Sequence, residues 1–276
     1  RLLRRQRQMC IRDRSRPTVP RVIRTRDGGT SGIVGAGDRD YRLRLMSFLP
    51  GVLLASVPLD RELADDFGAQ LAQLHAGLET FAHPGENPVL LWDLQRAGEL
   101  RSLLTAIDDS DARRHVERAL DDYESVVVPG LGTLRTQVIH GDANPGNVLV
   151  DPTRQRVTGF IDFGDMVRAP LVFDVAIAAA YLRGPDDDPL RWIRPFVAGY
   201  RGAAPLPAME SRLLFDLVRA RLATTITLLF WRLGARSDDD PYREKTLKEE
   251  GDAIRFLATL DALGREGFAA RLEQAT

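Results

Sequence analysis

Cysteine is nearly absent from this chain, since Cys10 is the only one among its 276 residues. No disulfide can form within the chain, which excludes the small disulfide-framed class and fits a reducing cytoplasm. Long apolar runs are also missing, because the best candidate, Leu213–Leu233, is interrupted by one aspartate and three arginines. A spanning helix needs about 20 mostly apolar residues, so the sequence predicts no membrane partner.

Lysine is scarce as well. Arginine supplies nearly all of the 38 basic residues, and the two lysines, Lys245 and Lys248, both lie near the C-terminal end. A mechanism that requires a lysine in the first half of the chain therefore cannot be completed by these residues.

Charge is divided unevenly along the chain. Residues 1–26 have a net charge of +9, from ten arginines against Asp13, which leaves −10 for residues 27–276 and −1 for the whole chain. The basic segment shows no periodicity and lacks aromatic residues, and an acidic body repels phosphate. The sequence thus predicts no nucleic-acid partner, whereas a cationic substrate is compatible with the acidic body.

The N-terminal part reads as a tail followed by short strands. Residues 1–15 differ in composition from the remainder and are interpreted as a non-native or disordered tail. Alternating apolar residues predict strands at 21–25 and 41–48, joined through a glycine-rich segment at 28–38. Its glycines match neither the G-x-G-x-x-G pattern nor a Walker loop with its lysine, which favours a hairpin over a phosphate loop.

Helical periodicity begins at Asp60. Apolar residues spaced three or four apart predict a helix that ends near Leu78, and His75 within it is interpreted as a packed or capping residue rather than a ligand. The same periodicity predicts further helices over residues 94–107, 112–127, 172–182, 189–202, 208–233 and 241–263.

The polar residues that could carry chemistry are concentrated in two segments, VIHGDANPGNVLV (138–150) and GFIDFGD (159–165). Short apolar strands on either side of a turn predict an antiparallel hairpin, which would return Asp162 to the neighbourhood of Asn147. Two carboxylates, from Asp142 and Asp162, and one amide would then face a single cleft. These are hard oxygen ligands of the kind that Mg²⁺ prefers.

The order and spacing of these residues match those of a phosphoryl-transfer site. His140-Gly141-Asp142 takes the place of the kinase His-Arg-Asp triplet, Asn147 follows Asp142 by five residues, and Asp162-Phe163-Gly164 is the kinase Asp-Phe-Gly triplet itself.

With VFDVAIAAAYL (172–182), these motifs resemble the aminoglycoside phosphotransferase/choline kinase family, and within it most closely the hydroxylysine kinases and their bacterial relatives. The resemblance runs from about Val19 to the C-terminus. It implies an α+β, protein-kinase-like fold of two lobes: a small β-rich N-lobe, here incomplete at 16–48, and a large, mainly helical C-lobe at 49–276.

The resemblance also assigns roles. It implies Asp142 as the catalytic base, His140 as a brace of its loop, and Asn147 and Asp162 as the residues that hold Mg²⁺ against the phosphates of ATP or GTP. Asp174 would support the loop from the following helix. The purine would bind to the backbone of four consecutive residues, Met46, Ser47, Phe48 and Leu49.

Asp165 has three interpretations. The first places it near the metal, the second assigns it to recognition of a substrate ammonium, and the third makes it the cap of the helix that follows.

The chain departs from the family pattern near its beginning. The kinase pattern includes a Gly-rich strand pair, a strand lysine and a helix glutamate that pairs with the lysine, and none of these is recognisable in the sequence. We therefore expect an N-terminally truncated chain, with fusion to further domains in the full-length protein left open.

The implied activity is transfer of the γ-phosphoryl group of a nucleoside triphosphate to the hydroxyl of an amino alcohol, most similar to hydroxylysine. Aminoglycoside, homoserine, choline and fructosamine acceptors remain alternatives within the family. An inactive pseudokinase or regulatory fragment of a larger protein is the alternative outside catalysis. The sequence does not discriminate ATP from GTP.

Overall fold

The computed structural model of the chain describes residues 17–151, 153, 155–234 and 241–274. The side chains of 241–250 are outside this description, as is the predicted tail. Strands occur only before Leu171 in the described chain, and the elements after that point are helices. This is the predicted α+β arrangement, with a strand-rich beginning and a mainly helical remainder.

Four short strands form the N-terminal part of the structure. β1 (Val22–Ile23) pairs antiparallel with β4 (Leu45–Met46), and β2 (Gly32–Ala36) pairs antiparallel with β3 (Arg39–Leu43). The β2–β3 hairpin confirms the preference for a hairpin over a phosphate loop. The single strand predicted over 41–48 is wrong in extent, because the chain exchanges its partner after β3 and continues as β4.

A three-stranded antiparallel sheet contains the two strands of the hairpin that joins the motif segments. Its order is β5 (Val52–Leu53), β7 (Val148–Asp151) and β8 (Arg156–Phe160). Thr18 extends this sheet through a parallel bridge to Gly159. The β7–β8 pair confirms the predicted hairpin, and the bridge ties the beginning of the described chain to it.

A second pair of strands encloses the two motifs. β6 (Thr136–Ile139) ends immediately before His140, and β9 (Val167–Pro170) begins two residues after Asp165. The sequence analysis missed β9, because four residues that include an arginine and a proline carry little strand signal. The antiparallel pairing of β6 and β9 brings the two motif segments to the same end of the structure.

The described part of the chain contains six α-helices: α1 (Arg61–Leu78), α2 (Ser110–Asp122), α3 (Leu171–Tyr181), α4 (Ile193–Ala203), α5 (Ala208–Gly234) and α6 (Pro241–Leu272). Asp60 caps α1 by accepting a 2.8 Å hydrogen bond from the Leu63 N–H, which explains why the helix begins there. The backbone at Gly264 is non-helical, with φ at 70°, so the predicted end at residue 263 coincides with a break inside α6.

The segment Leu94–Ala106 is a 3₁₀ helix rather than the α-helix expected there. Its buried residues include Leu94, Ala97 and Leu100, which are spaced by three. A spacing of three matches the three residues per turn of a 3₁₀ helix, so this spacing places them on one face.

Helix α5 is the central element of the helical part. It contacts α2, α3, α6 and the 3₁₀ segment, and its buried residues lie on all sides. Among them are four charged residues, each 5% exposed or less: Glu210, Asp216, Arg219 and Arg221. No helix in the described ranges is long and apolar enough to cross a membrane.

Candidate active site

The β7–β8 hairpin brings Asn147 and Asp162 together, as the sequence predicts. Val148 lies opposite Phe160 across the hairpin, and the Ile161 N–H donates a 2.9 Å hydrogen bond to the Asn147 carbonyl. The residues that precede β7 and follow β8 therefore meet at one end of the sheet.

Asp142 is joined to the same cluster through side-chain amides. The Asn147 amide nitrogen donates to the Asp142 carbonyl at 2.9 Å and to its Oδ2 at 3.0 Å, and the Asn144 amide donates to Oδ2 at 2.9 Å. The other oxygen of Asp142, Oδ1, accepts a 2.7 Å charged hydrogen bond from Arg221. The structure thus places Asp142, Asn147 and Asp162 in one site.

The oxygen atoms of Asn147 and Asp162 suit a magnesium ion. Because the side-chain nitrogen of Asn147 already donates to Asp142, the side-chain oxygen of Asn147 is left to face a cation. Asp162 adopts φ 58° and ψ 67°, a left-handed backbone that non-glycine residues seldom take, and its Oδ1 accepts only a long 3.4 Å bond from the Gly164 N–H. Strain of this kind is commonly found at functional sites.

A site with two protein oxygens is what Mg²⁺ uses when substrate phosphates and water complete its octahedron. Within the described ranges, no group of three or more His, Cys, Asp or Glu side chains could hold a metal ion. Asn147 and Asp162 offer one amide oxygen and one carboxylate, which by themselves do not enclose an ion.

Asp174, on helix α3, holds the backbone of residues 140–147, the segment that corresponds to the catalytic loop of the kinase motif. Its two oxygens accept hydrogen bonds of 2.8 Å from the His140 and Gly141 N–H groups. Burial alone would raise the pKa of this carboxyl, but the hydrogen bond and charge of His75, with His140 and the Gly141 N–H, lower its pKa below the ordinary value. Asp174 is therefore an ionised, fully buried support of the loop.

His75 continues this support away from the site. Its Nε2 lies 3.1 Å from the Asp174 carboxylate and its Nδ1 lies 2.8 Å from the Tyr200 hydroxyl. The ring is 2% exposed, which confirms that His75 is a packed residue. Its link to the catalytic loop through Asp174 was not foreseen, since these residues are far apart in sequence.

His140 connects the catalytic loop to the end of β8. Its Nε2 lies 2.9 Å from the Ile161 carbonyl, and its ring is 4.7 Å from that of Phe163. The side chain is fully buried. These contacts fix the distance between the loop that carries Asp142 and the segment that carries Asp162.

Asp165 lies beside the other carboxylates and does not cap helix α3. The residue preceding that helix is Pro170, which makes no side-chain cap. Burial raises the pKa of Asp165, and the Asp142 and Asp162 charges raise it further, against smaller opposing effects of Trp92 and His140. The capping interpretation is therefore wrong, and a role near the metal or a substrate ammonium remains.

Of the four residues expected to bind the purine, Met46 pairs with Val22 of β1, and the Leu49 side chain lies against Gly159 of β8. Ser47 donates its N–H to the Arg21 carbonyl at 2.7 Å, and its hydroxyl accepts from the Arg21 N–H at 2.8 Å. Phe48 is 89% exposed. Because the Ser47 N–H is already used, a purine would depend on the other backbone groups of these four residues.

Arg221 and its neighbours were missed as site residues. The guanidinium, on α5, also lies 3.3 Å from the Trp92 carbonyl and 3.3 Å from the Tyr181 hydroxyl. The available signal was a charged residue in the middle of an apolar helical run, because such residues are rarely buried without a partner. The sequence could not name that partner.

Together, the loop that carries Asp142, the hairpin that follows it, a strand-rich beginning and a helical remainder match a protein-kinase-like fold. The model of the phosphotransferase enzyme family matches residues 3–215. The chain belongs to this family.

Curated relatives are kinases of small molecules. Hydroxylysine kinase from Xenopus laevis is 29% identical over 84% of this chain and 65% of the relative, and that from Mus musculus is 29% identical over 87% and 68%. Homoserine kinase from Neisseria meningitidis is 30% identical over 52% of this chain and 45% of the relative. The chain spans about two thirds of the length of the hydroxylysine kinases that it matches.

Solved structures support the fold assignment. A microcompartment-associated aminopropanol kinase has a TM-score of 0.57 at 23% identity, over 94% of this chain and 78% of that one. Amicoumacin kinase in complex with AMP-PNP, Ca²⁺ and Ami has a TM-score of 0.62 at 17% identity, over 90% and 75%. The predicted protein-kinase-like fold is confirmed.

Proposed function

We propose that this chain transfers the γ-phosphoryl group of a nucleoside triphosphate to the hydroxyl of an amino alcohol. The observation that carries the proposal is the convergence of Asp142, Asn147 and Asp162 on one site, with the amide nitrogen of Asn147 turned inward to Asp142. Its setting, we infer, is the cytoplasm, since the sequence holds a single cysteine.

Asp142 orients the nucleophile in this proposal. Its carboxylate accepts a hydrogen bond from the substrate hydroxyl, aligns that oxygen with the γ-phosphorus and takes the proton as the new P–O bond forms and the bond to the leaving diphosphate breaks. The amides of Asn144 and Asn147 fix the plane of the carboxylate, and Asp174 fixes the backbone that carries it.

Asn147 and Asp162 would hold Mg²⁺. When bound, the ion neutralises charge on the β- and γ-phosphates. The fit is supported by the oxygen available on each side chain and by the left-handed backbone of Asp162. The donor is ATP or GTP, with its purine against the backbone of Met46, Ser47, Phe48 and Leu49.

The acceptor class is proposed from charge and from the relatives. Asp165 provides a further carboxylate beside the base, and burial among like charges makes a cation a favourable partner for it. Hydroxylysine carries ammonium groups as well as a hydroxyl, which makes it the first candidate. Homoserine, aminopropanol, choline and aminoglycosides are the competing acceptors.

A panel of alcohols tests the proposal. The full-length protein is incubated with Mg²⁺ and either ATP or GTP, together with 5-hydroxylysine, homoserine, 1-amino-2-propanol, choline or kanamycin, and nucleotide consumption is recorded. We expect acceptor-dependent turnover with 5-hydroxylysine as the best substrate. Nucleotide binding without turnover of any alcohol would contradict the proposal and favour a pseudokinase.

Asp142→Asn should abolish most of the turnover, because an amide nitrogen cannot accept the hydroxyl proton. We expect kcat to fall by about 10²–10⁴-fold, with the protein still folded by circular dichroism. Asp111→Asn is the control, since Asp111 is exposed at the beginning of α2 and pairs with Arg114 on the surface. Equal kcat values in the two variants would reject Asp142 as the base.

A further inference from the structure

Among the described residues, Arg221 is the arginine that forms a salt bridge with the Asp142 carboxylate. It reaches the loop from helix α5, 79 residues further along the chain, and its Nη2 lies 2.7 Å from Asp142 Oδ1. Arg221 is 5% exposed. An arginine buried at this depth is costly unless its charge is paired, so the pair with Asp142 determines where the guanidinium can lie.

The hydrogen bonds of Asp142 leave little room for a substrate. An ionised carboxylate offers about four acceptor positions, two on each oxygen. The Asn144 and Asn147 amides use both positions of Oδ2, and Arg221 uses one position of Oδ1. One position, on Oδ1, is left for a substrate hydroxyl.

The guanidinium is itself held in place. Nη1 donates to the Trp92 carbonyl and Nη2 also approaches the Tyr181 hydroxyl, both at 3.3 Å. The Cζ atom of Arg221 lies 5.7 Å from the centre of the Tyr181 ring. Its Nε has no hydrogen-bond acceptor among the described residues. Contacts from two other elements therefore fix the arginine before any ligand binds.

We propose that Arg221 is a positioning residue for the phosphoryl transfer: together with the Asn144 and Asn147 amides it locks Asp142 in one rotamer and leaves a single position on Oδ1 for the substrate hydroxyl. This inference rests on the proposed function. The proposed role differs from that of an arginine that binds the substrate. Arg221 acts through Asp142, and the acceptor alcohol does not have to contact Arg221.

Replacement of Arg221 should act on the rate of the chemical step. For Arg221→Met in the full-length protein, we expect kcat to fall by about 100-fold, the size of effect that a misplaced catalytic group produces. The KM for the alcohol and the Kd of Mg²⁺–AMP-PNP should stay within about twofold. Arg221→Lys should recover part of the rate, because an ammonium can still bind Oδ1 but lacks the second contact.

Arg219→Met is the matched control. Arg219 lies on the same helix, is equally buried and is paired with the carboxylates of Asp122 and Asp261, neither of which belongs to the site. Its loss should lower the melting temperature while kcat, measured where all variants are folded, stays within about twofold of wild type. A general loss of packing would instead lower kcat in both variants.

A double-variant cycle decides whether Arg221 acts through Asp142. In the Asp142→Asn background, Arg221→Met should reduce the residual kcat by less than about threefold, because residues that act as a unit are not additive. Three results would overturn the inference in an active enzyme: full additivity, an unchanged kcat, or a rise in the KM for the alcohol alone. If the wild-type protein phosphorylates no alcohol, the proposed function itself has failed.

Discussion

Single buried polar side chains hold the catalytic loop of this protein. Asp174 is the clearest case, because it has no exposed surface and accepts from the His140 and Gly141 N–H groups. His75 and Tyr200 extend the chain of hydrogen bonds behind it. The loop that carries Asp142 is thus fixed by one carboxylate with several donors.

Replacement of Asp174 by Asn should weaken folding in a pH-dependent way. An amide satisfies fewer of these donors, so we expect the free energy of unfolding at pH 7 to fall by about 3 kcal/mol. The folded-state pKa of Asp174 is lowered, so its stabilisation is present above the unfolded carboxyl pKa of about 3.9 and is lost as the pH falls through the folded value.

Urea denaturation of both proteins from pH 7 to pH 3 measures this difference. The gap between wild type and Asp174→Asn should be constant down to about pH 4.5 and narrow below it. Asp111→Asn should leave the free energy of unfolding within about 0.5 kcal/mol of wild type throughout. A gap that stays the same down to pH 3 would contradict an ionised Asp174.

At this level the sequence predicts what lies in the motifs and little else. Asp142, Asn147 and Asp162 are foreseen because their spacing along a single hairpin sets their separation in space. Arg221 and His75 are not, because each reaches the site from another helix, and apolar periodicity places a helix without giving the neighbour of any one side chain.

Helix packing depends on glycines where two backbones touch. A Cβ atom on Gly68 of α1 would lie 1.8 Å from the Phe196 carbonyl oxygen, and one on Gly199 of α4 would lie 1.8 Å from the Asp65 carbonyl oxygen. No side chain fits either place, so these residues allow α1 and α4 to approach closely. Helix α1 carries His75 and α4 carries Tyr200, which links this crossing to the support of the loop.

Gly199→Ala should therefore separate the two helices and destabilise the protein by more than about 2 kcal/mol, against the usual gain of up to about 1 kcal/mol for alanine in a helix. Gly202→Ala is the matched control, because Gly202 lies on the same helix and a Cβ atom added to it would meet nothing within 4 Å. It should be neutral or stabilising in thermal denaturation. Equal melting temperatures for the two variants would refute the close crossing.

Elements were predicted best where a period was long and an end was marked. The helix at α1 follows from its apolar spacing and from Asp60, and the break at Gly264 follows from a glycine after the last periodic residue. The sequence does not predict the 3₁₀ segment or β9. A spacing of three residues is shared by both helix types, and β9 is only four residues long.

The proposed site takes residues from both the strand-rich beginning and the helical remainder of the molecule. In the proposed site, the strand-rich beginning supplies residues 46–49, the hairpin supplies Asn147 and Asp162, and α5 supplies Arg221. The sequence predicts this two-lobed plan through its family resemblance, and the family match and the solved relatives agree with it. The choice of acceptor depends on side chains brought together by several helices, which one sequence does not encode in readable form.

The central claim is that Asn147 and Asp162 bind a divalent ion, and that Asp142, the proposed base beside them, does not bind it. Electron paramagnetic resonance of Mn²⁺, titrated into the full-length protein with AMP-PNP, tests this claim most directly. We expect a nucleotide-dependent Mn²⁺ site that weakens at least about tenfold in Asn147→Ala and Asp162→Asn but persists in Asp142→Asn. Wild-type Mn²⁺ affinity in both ligand variants would contradict the account.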